Sequence, residues 1–257
     1  MAASRKNMIG IVGGVGPYAG LDLMRKVFDN TLSEGDQDHV DALLFSLPSR
    51  IVDRTEFLEG REEQNPAEAI HEVLSRLEEA GATVAGIPCN TAHAAPIFEL
   101  IQEKLDSAGS RIRLLHMIRE TVGFIQTALP DLRRIGILST TGTYRSRIYQ
   151  DALESAAYKV ILPSEEMQEQ MIHPAIYDGD YGIKSQSNPV HPQALAFLET
   201  GFSYLEQMGA EAVILGCTEI SMAFQVPAGR GVIGIDPTLV LARALIYNAF
   251  PDKLKPL

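Results

Sequence analysis

Two stretches of this chain, 128 positions apart, carry the same pattern. Residues 77–89 read LEEAGATVAGIPC and residues 205–217 read LEQMGAEAVILGC; aligned without a gap, Leu, Glu, Gly, Ala and Cys coincide. A second echo pairs Ile9-Gly10-Ile11 with Ile135-Gly136-Ile137 at an offset of 126, and each IGI run enters a small-residue turn, GGVGP at 13–17 and STTGT at 139–143. Two near-equal offsets predict two similar lobes related by a pseudo-twofold axis. Buried strands and Gly-Ala turns look alike in many proteins, but that likeness does not put a cysteine at the same place in both halves.

Short apolar runs alternate with amphipathic stretches throughout, the pattern of an α/β fold with mainly parallel sheets flanked by helices. Strands are predicted at 8–13, 41–47, 83–87, 111–116, 134–139, 158–162, 211–215 and 231–235. Ile70, Val73, Leu74 and Leu77 fall at i, i+3, i+4 and i+7, so one helical stripe faces a sheet; Leu195, Leu198, Phe202 and Leu205 repeat the arrangement. Residues 178–192 (DGDYGIKSQSNPVHP) break the pattern and read as a loop over a surface or site. The expected division gives 1–117 plus 226–257 to an N-terminal lobe carrying Cys89 and 118–225 to a C-terminal lobe carrying Cys217, with the site between them.

At 257 residues the chain can bury a sizeable core. Its formal charge of −11 argues against nucleic acid and anionic membranes as partners, since phosphates would be repelled. Met1 to Asn7 runs straight into an apolar strand without a signal-peptide core, and no apolar run is long enough to span a bilayer. With only two cysteines, these features predict a cytoplasmic protein whose thiols stay reduced.

Each cysteine follows an apolar strand and is predicted to precede a helix, where ligands bind in open parallel sheets. A thiol at a helix N-terminus meets the positive end of the dipole, which predicts a lowered pKa for both. If the lobes face each other, one thiol stands on each side of the cleft. Opposed, matched acid/base groups are what inversion at carbon requires: one takes the α-proton and the other delivers a proton to the opposite face. The bland alternative is a pair of inert buried cysteines, which leaves their equivalent positions unexplained.

PCNTAHA at 88–94 and LGCTEIS at 215–221 resemble the two cysteine motifs of the aspartate/glutamate racemase superfamily. GGVGP at 13–17 is similar to its N-terminal glycine turn, with Val15 where Met is usual, and DRT at 53–55 and STTGT at 139–143 also look like aspartate racemase segments. Cys217-Thr218 followed by Glu219-Ile220, rather than by His-Tyr-Pro, points to the aspartate racemase branch. The resemblance implies a cofactor-independent two-base amino-acid racemase, most simply for aspartate, with Cys89 and Cys217 catalytic and no metal or nucleotide. It further implies that Arg54 binds a substrate carboxylate, that Lys184 is a second cation in a loop longer than in compact members, and that Asn90, Thr91, Thr143 and Thr218 supply hydrogen bonds. A homodimer is the expected assembly.

Several other readings compete. Gly14-x-Gly16-x-x-Ala19 fits a relaxed dinucleotide fingerprint, but strand 41–47 ends in Ser46-Leu47-Pro48 without the acid that a nicotinamide enzyme needs. Cys89 and His93, four apart, could share a metal. A non-catalytic amino-acid-binding protein has no need of paired thiols. Within the superfamily, broad-specificity and hydantoin racemases, maleate isomerases and arylmalonate decarboxylases are the nearer rivals.

Overall fold

The computed structural model of the protein describes residues 7–226 and 229–257. The leader expectation rests largely on residues 1–6, which lie outside them. All eight predicted strands form, with bounds differing by a few residues at most. The first half runs β1 (Ile9–Gly13), α1 (Pro17–Asp29), β2 (Ala42–Ser46), α2 (Arg54–Leu58), α3 (Ala67–Glu79), β3 (Val84–Gly86), α4 (Ala95–Ser107), β4 (Arg113–Leu115) and α5 (Met117–Ala128). The second begins with β5 (Arg134–Ser139), α6 (Thr141–Arg145), α7 (Ile148–Ser155), β6 (Lys159–Ile161), α8 (Glu165–Met167) and α9 (His173–Tyr177). It continues through α10 (Pro192–Gln207), β7 (Ala212–Gly216), α11 (Thr218–Ala223), β8 (Ile233–Ile235) and α12 (Pro237–Ala249). Two parallel four-stranded sheets result, ordered β2-β1-β3-β4 and β6-β5-β7-β8. Among the described residues no helix is long and apolar enough to cross a membrane.

The sequence repeat is one joint built twice. Helices α3 and α10 stop in the same way: Gly81 and Gly209 take positive φ (108° and 86°), and Ala82 N–H and Ala210 N–H reach back to Leu77 O and Leu205 O. That is a glycine helix stop with its paired 6→1 bond. The stop presses Leu77 and Ala82 onto Gly10 of β1, where an added Cβ would lie 3.0 Å from Ala82 Cβ and 3.3 Å from Leu77 Cδ1. In the second half a Cβ on Gly136 would meet Val213 Cγ2 at 3.0 Å, Ala210 Cβ at 3.2 Å and Leu205 Cδ1 at 3.2 Å. The IGI echo and the LxxxGA echo are the two sides of one contact.

Period-two alternation assigns the faces. Ile9 and Ile11 pack with Leu23 and Val27 of α1 and Leu241 and Leu245 of α12, while Val12 joins Ile70 and Leu74 of α3 and Ile97 and Ile101 of α4. Ile135 and Ile137 pack with Ile118 and Val122 of α5 and Tyr149 and Leu153 of α7; Leu138 joins Leu198 and Phe202 of α10. The α3 stripe is buried at Ile70, Val73, Leu74 and Leu77. On α10 the buried stripe is Ala194, Leu198, Gly201, Phe202 and Leu205, and the predicted Leu195 is only half-buried because Ala194 takes the inward position.

Two helices cross over. Helix α5 ends the first half yet covers the second sheet, α12 ends the second half yet covers the first, and the two touch. The expected division gave 226–257 to the N-terminal lobe; β8 instead pairs with β7 in the second sheet, while α12 and the residues after it, with Leu254 bridging Thr31, pack on the first. Residues 178–191 hold no helix or strand beyond a bridge from Ser187 to Val190.

Gly10→Ala and Gly136→Ala should each destabilise the protein by about 1–3 kcal/mol through overpacking of the joint. Gly123→Ala, in α5 with no heavy atom near its would-be Cβ, should be neutral or stabilising. Urea midpoints at unchanged m decide it; a tolerated Gly10→Ala would remove the account of the repeat.

Candidate active site

In each sheet the order of strand addition reverses between the two central strands, β1/β3 and β5/β7. The loops leaving those carboxyl ends frame a crevice, and every motif singled out in the sequence except DRT sits on one of them. The loops converge on an inner chamber of about 10 Å³, lined by Val15, Cys89, Asn90 and Thr91 from the first half and by Thr140, Cys217, Thr218 and Glu219 from the second. Arg54, Tyr177 and Lys184 complete it. An outer chamber of about 290 Å³ shares Arg54, Lys184 and Glu219 with it.

Both cysteines are free and buried, but their settings differ. Cys217 is the N-cap residue of α11. Its Sγ donates to Glu219 Oε2 at 2.9 Å, and Thr218 Oγ1 donates to the same oxygen at 3.0 Å. Burial first, and the Glu219 carboxylate second, push the Cys217 thiol well above its ordinary pKa. This overturns the expected lowering at that position, because a six-residue helix does not outweigh desolvation and an adjacent anion. Cys89 is not at a helix N-terminus: a 3₁₀ turn, Thr91–His93, follows it, and α4 starts only at Ala95. His93 Nδ1 donates to Cys89 O at 2.9 Å, which engages that ring nitrogen with main chain rather than with the Cys89 sulfur. Burial holds His93 down to about 4. His116, whose ring centroid lies 4.9 Å away, is held near 3 by burial and by the charge of His93.

Arg54 opens α2 behind Asp53, whose Oδ1 caps the helix by accepting from Thr55 N at 2.7 Å and Glu56 N at 3.2 Å. The guanidinium is buried and braced by Nη2 donating to Val15 O at 2.6 Å and Nη1 to Val52 O at 3.1 Å. Burial opposes its charge, but Cys89, Asp53 and Tyr177 outweigh it and hold the pKa above the ordinary arginine value. Arg54 Nε and Asn90 Nδ2 have no partner although both are buried. Tyr149 Oη donates to Asn90 Oδ1 at 2.6 Å, which orients the amide and leaves its N–H donors over.

Lys184 is brought to the site, but it is engaged. Its Nζ donates to Asp53 Oδ2 at 3.0 Å and to Tyr177 Oη at 2.8 Å, and the Tyr177 hydroxyl lies 3.1 Å from both Asp53 oxygens. Burial works against the Asp53 charge, yet Lys184 and Arg54 hold its carboxyl well below the usual range. Thr91 and Thr218 line the inner chamber; Thr143 does not, lying behind Thr91 at 2.9 Å between hydroxyls, while Thr140 takes the lining position. Asp53, Glu219, Tyr177 and Thr140 went unassigned in the sequence. Glu219 was visible inside LGCTEIS and Asp53 as the helix cap in DRT, whereas nothing local marks Tyr177.

The model of the Asp/Glu/hydantoin racemase family matches residues 12–245, and the chain belongs to that family, and so to the isomerases. A broad specificity amino-acid racemase of Bacillus subtilis is 28% identical over 223 residues, covering 83% of this chain and 86% of that one. The aspartate racemase of Picrophilus torridus superposes with a TM-score of 0.78 at 27% identity, over 97% of this chain and 96% of that one. Glutamate racemase of Francisella tularensis shares the fold at 16% identity and a TM-score of 0.61, over 96% and 82% of the two chains.

Glu219→Gln should lower the pH at which Cys217 becomes nucleophilic, since it removes an anion that disfavours the thiolate. Iodoacetamide labelling against pH, read at the Cys217 peptide by mass spectrometry, should move to lower pH by about one unit or more, a scale of about 1.4 kcal/mol per unit; an unmoved profile removes Glu219 as the partner. A second test concerns acid. The unfolded chain protonates His93 near 6.5, whereas the folded chain leaves it bare to about 4. Its contribution to stability is complete above pH 6.5 and is lost as pH falls toward 4, by up to about 1.4 kcal/mol per pH unit. Urea midpoints from pH 7.5 to 4.5 should fall accordingly and fall less in His93→Gln.

Proposed function

We propose that the protein racemises free α-amino acids by two-base proton exchange between Cys89 and Cys217, without a cofactor. The observation that carries this reading is the chamber itself: both cysteines of the repeat line it, together with two buried donors lacking partners, Arg54 Nε and Asn90 Nδ2. Those donors suit the substrate α-carboxylate, where fixed N–H groups stabilise charge as the α-carbon loses its proton. The Cys89 thiolate, beside Arg54, takes the α-proton; the C–H bond breaks as an S–H bond forms. The Cys217 thiol then donates to the opposite face and is left as thiolate next to Thr218, and the reverse enantiomer or solvent exchange resets the pair. A chamber of about 10 Å³ has room for roughly one water, so the lobes part to admit substrate.

Aspartate is the substrate the sequence resemblance implies, and it is the one named for the Picrophilus neighbour. A diacid calls for two cations, and the ion pair of Lys184 with Asp53 leaves Arg54 alone. That pairing favours a second reading, racemisation of a wider set of amino acids, as named for the Bacillus relative.

Cys89→Ala and Cys217→Ala should each lower kcat by more than about 10³-fold while leaving the fold intact, and the double variant should be little worse, because the thiols act as one unit. Each single variant should still exchange the α-hydrogen of one enantiomer with deuterium. Chiral chromatography of aspartate, glutamate, alanine and serine, with chelator and without pyridoxal phosphate, reads both the reaction and its range. Retention of a tenth of wild-type kcat by either variant, a barrier change under about 1.4 kcal/mol, would overturn the two-base assignment. Sedimentation of the same preparation tests the expected homodimer.

A further inference from the structure

We infer that Tyr149 is a positioning residue of the site: reaching across from the second half of the chain, it holds the Asn90 amide with its N–H donors turned to the chamber. This rests on the racemase reading of the cleft and adds to it a residue outside every motif singled out in the sequence. Asn90 stands at the head of the turn Thr91–His93, yet its side chain makes no capping bond there. An asparagine in such a place commonly caps with its own carbonyl oxygen. Here Oδ1 instead accepts from Tyr149 Oη at 2.6 Å, across 59 positions of chain, and Nδ2 is left buried and without a partner in a residue that lines the chamber.

The hydroxyl is not a packing requirement of the fold. Shifted by the 126 positions that separate the two IGI runs, Tyr149 falls on Leu23. Leu23 is fully buried with Ile9 and Ile11 of β1, as Tyr149 is with Ile135 and Ile137 of β5. The first half thus fills the same place with an aliphatic side chain. Thr218, 128 positions from Asn90, has no such strut, since its hydroxyl donates to Glu219 in its own half. Taking a hydroxyl out of water is costly unless it is bonded, and a leucine at 149 would avoid that cost. Burial also pushes the Tyr149 pKa up, which keeps the group a donor rather than an anion. An amide released from this bond can turn its carbonyl oxygen toward the chamber, where it would repel a carboxylate.

The ring itself has a packing role: a Cβ added at Gly216, next to Cys217, would lie 3.3 Å from Tyr149 Cε2. Tyr149→Phe keeps that contact and removes only the bond to Asn90. It is combined with Asn90→Ala in a double-mutant cycle, and Asn90→Thr stands in if the alanine variant does not fold. Racemisation of alanine, serine, aspartate and glutamate is followed by chiral chromatography, and binding of the same four by titration calorimetry.

Tyr149→Phe should lower kcat/KM at least fivefold, and by the same factor within threefold for every amino acid turned over, because all of them carry the α-carboxylate. In the Asn90→Ala background it should cost less than a further twofold. A loss under fivefold, or one that varies more than threefold between amino acids, overturns the inference. So does a further loss of twofold or more in the double variant, or a Tyr149→Phe protein that does not fold, either of which marks a purely structural hydroxyl. If wild type binds amino acids without racemising them, the same cycle read in Kd decides the inference and the two-base reading falls alone. Failure of wild type to bind any of the four overturns both.

Discussion

Everything at the cleft depends on two helices that cover the half of the chain they do not belong to in sequence. Helix α12 buries Ile9, Ile11 and Val84 of the first sheet, and α5 buries Ile135, Ile137 and Ile214 of the second. Neither half covers its own sheet completely, so neither has a complete core without the other. Gly86 of β3 marks how closely the exchange is packed: a Cβ there would lie 3.1 Å from both Leu241 and Leu245. With α5 against α12 between the sheets, the two switch points are held facing one another, and the cysteines meet without any covalent link.

The acidity of the surface and the neutrality of the site follow different rules. A formal charge of −11 spread over exposed side chains is screened within about 8–10 Å at moderate salt. Inside the cleft, where water is scarce, each charge needs a partner at contact distance, and the cluster of Asp53, Arg54, Lys184 and Glu219 meets that need. The chain's overall charge therefore says little about what enters the cleft.

The strands, the helix stops and the two cysteine loops were legible in the sequence because each is local. A buried run of four or five apolar residues, a glycine after a helix and a cysteine after a strand carry their own signatures. Helix exchange was part of the expected division, which put 118–128 with the second lobe and 237–249 with the first; the pairing of β8 with β7 was not, because a three-residue edge strand carries no local sign of its partner. The site was half legible for the same reason. Arg54 and the cysteines sit in motifs, but the state of Lys184 depends on Asp53, 131 positions away, and on Tyr177. The thiol of Cys217 was misjudged by weighing a helix dipole that sequence suggests against a desolvation that only packing reveals.

Pseudo-symmetry places the two thiols equivalently, yet a cation attends Cys89 and an anion attends Cys217. For a two-base racemase this asymmetry has a bounded consequence. Enantiomers have equal free energy in water, so kcat/KM must be the same in both directions whatever the protein does. The unequal neighbours can act only by splitting that ratio differently into kcat and KM. If the two thiols exchange protons as proposed, the Glu219 carboxylate, hydrogen-bonded to the Cys217 thiol, favours the form in which Cys217 keeps its proton. The enantiomer that needs Cys217 as its acid would then meet the commoner form of the site, and its mirror image the rarer one, a difference that falls on kcat and KM separately and cancels in their ratio.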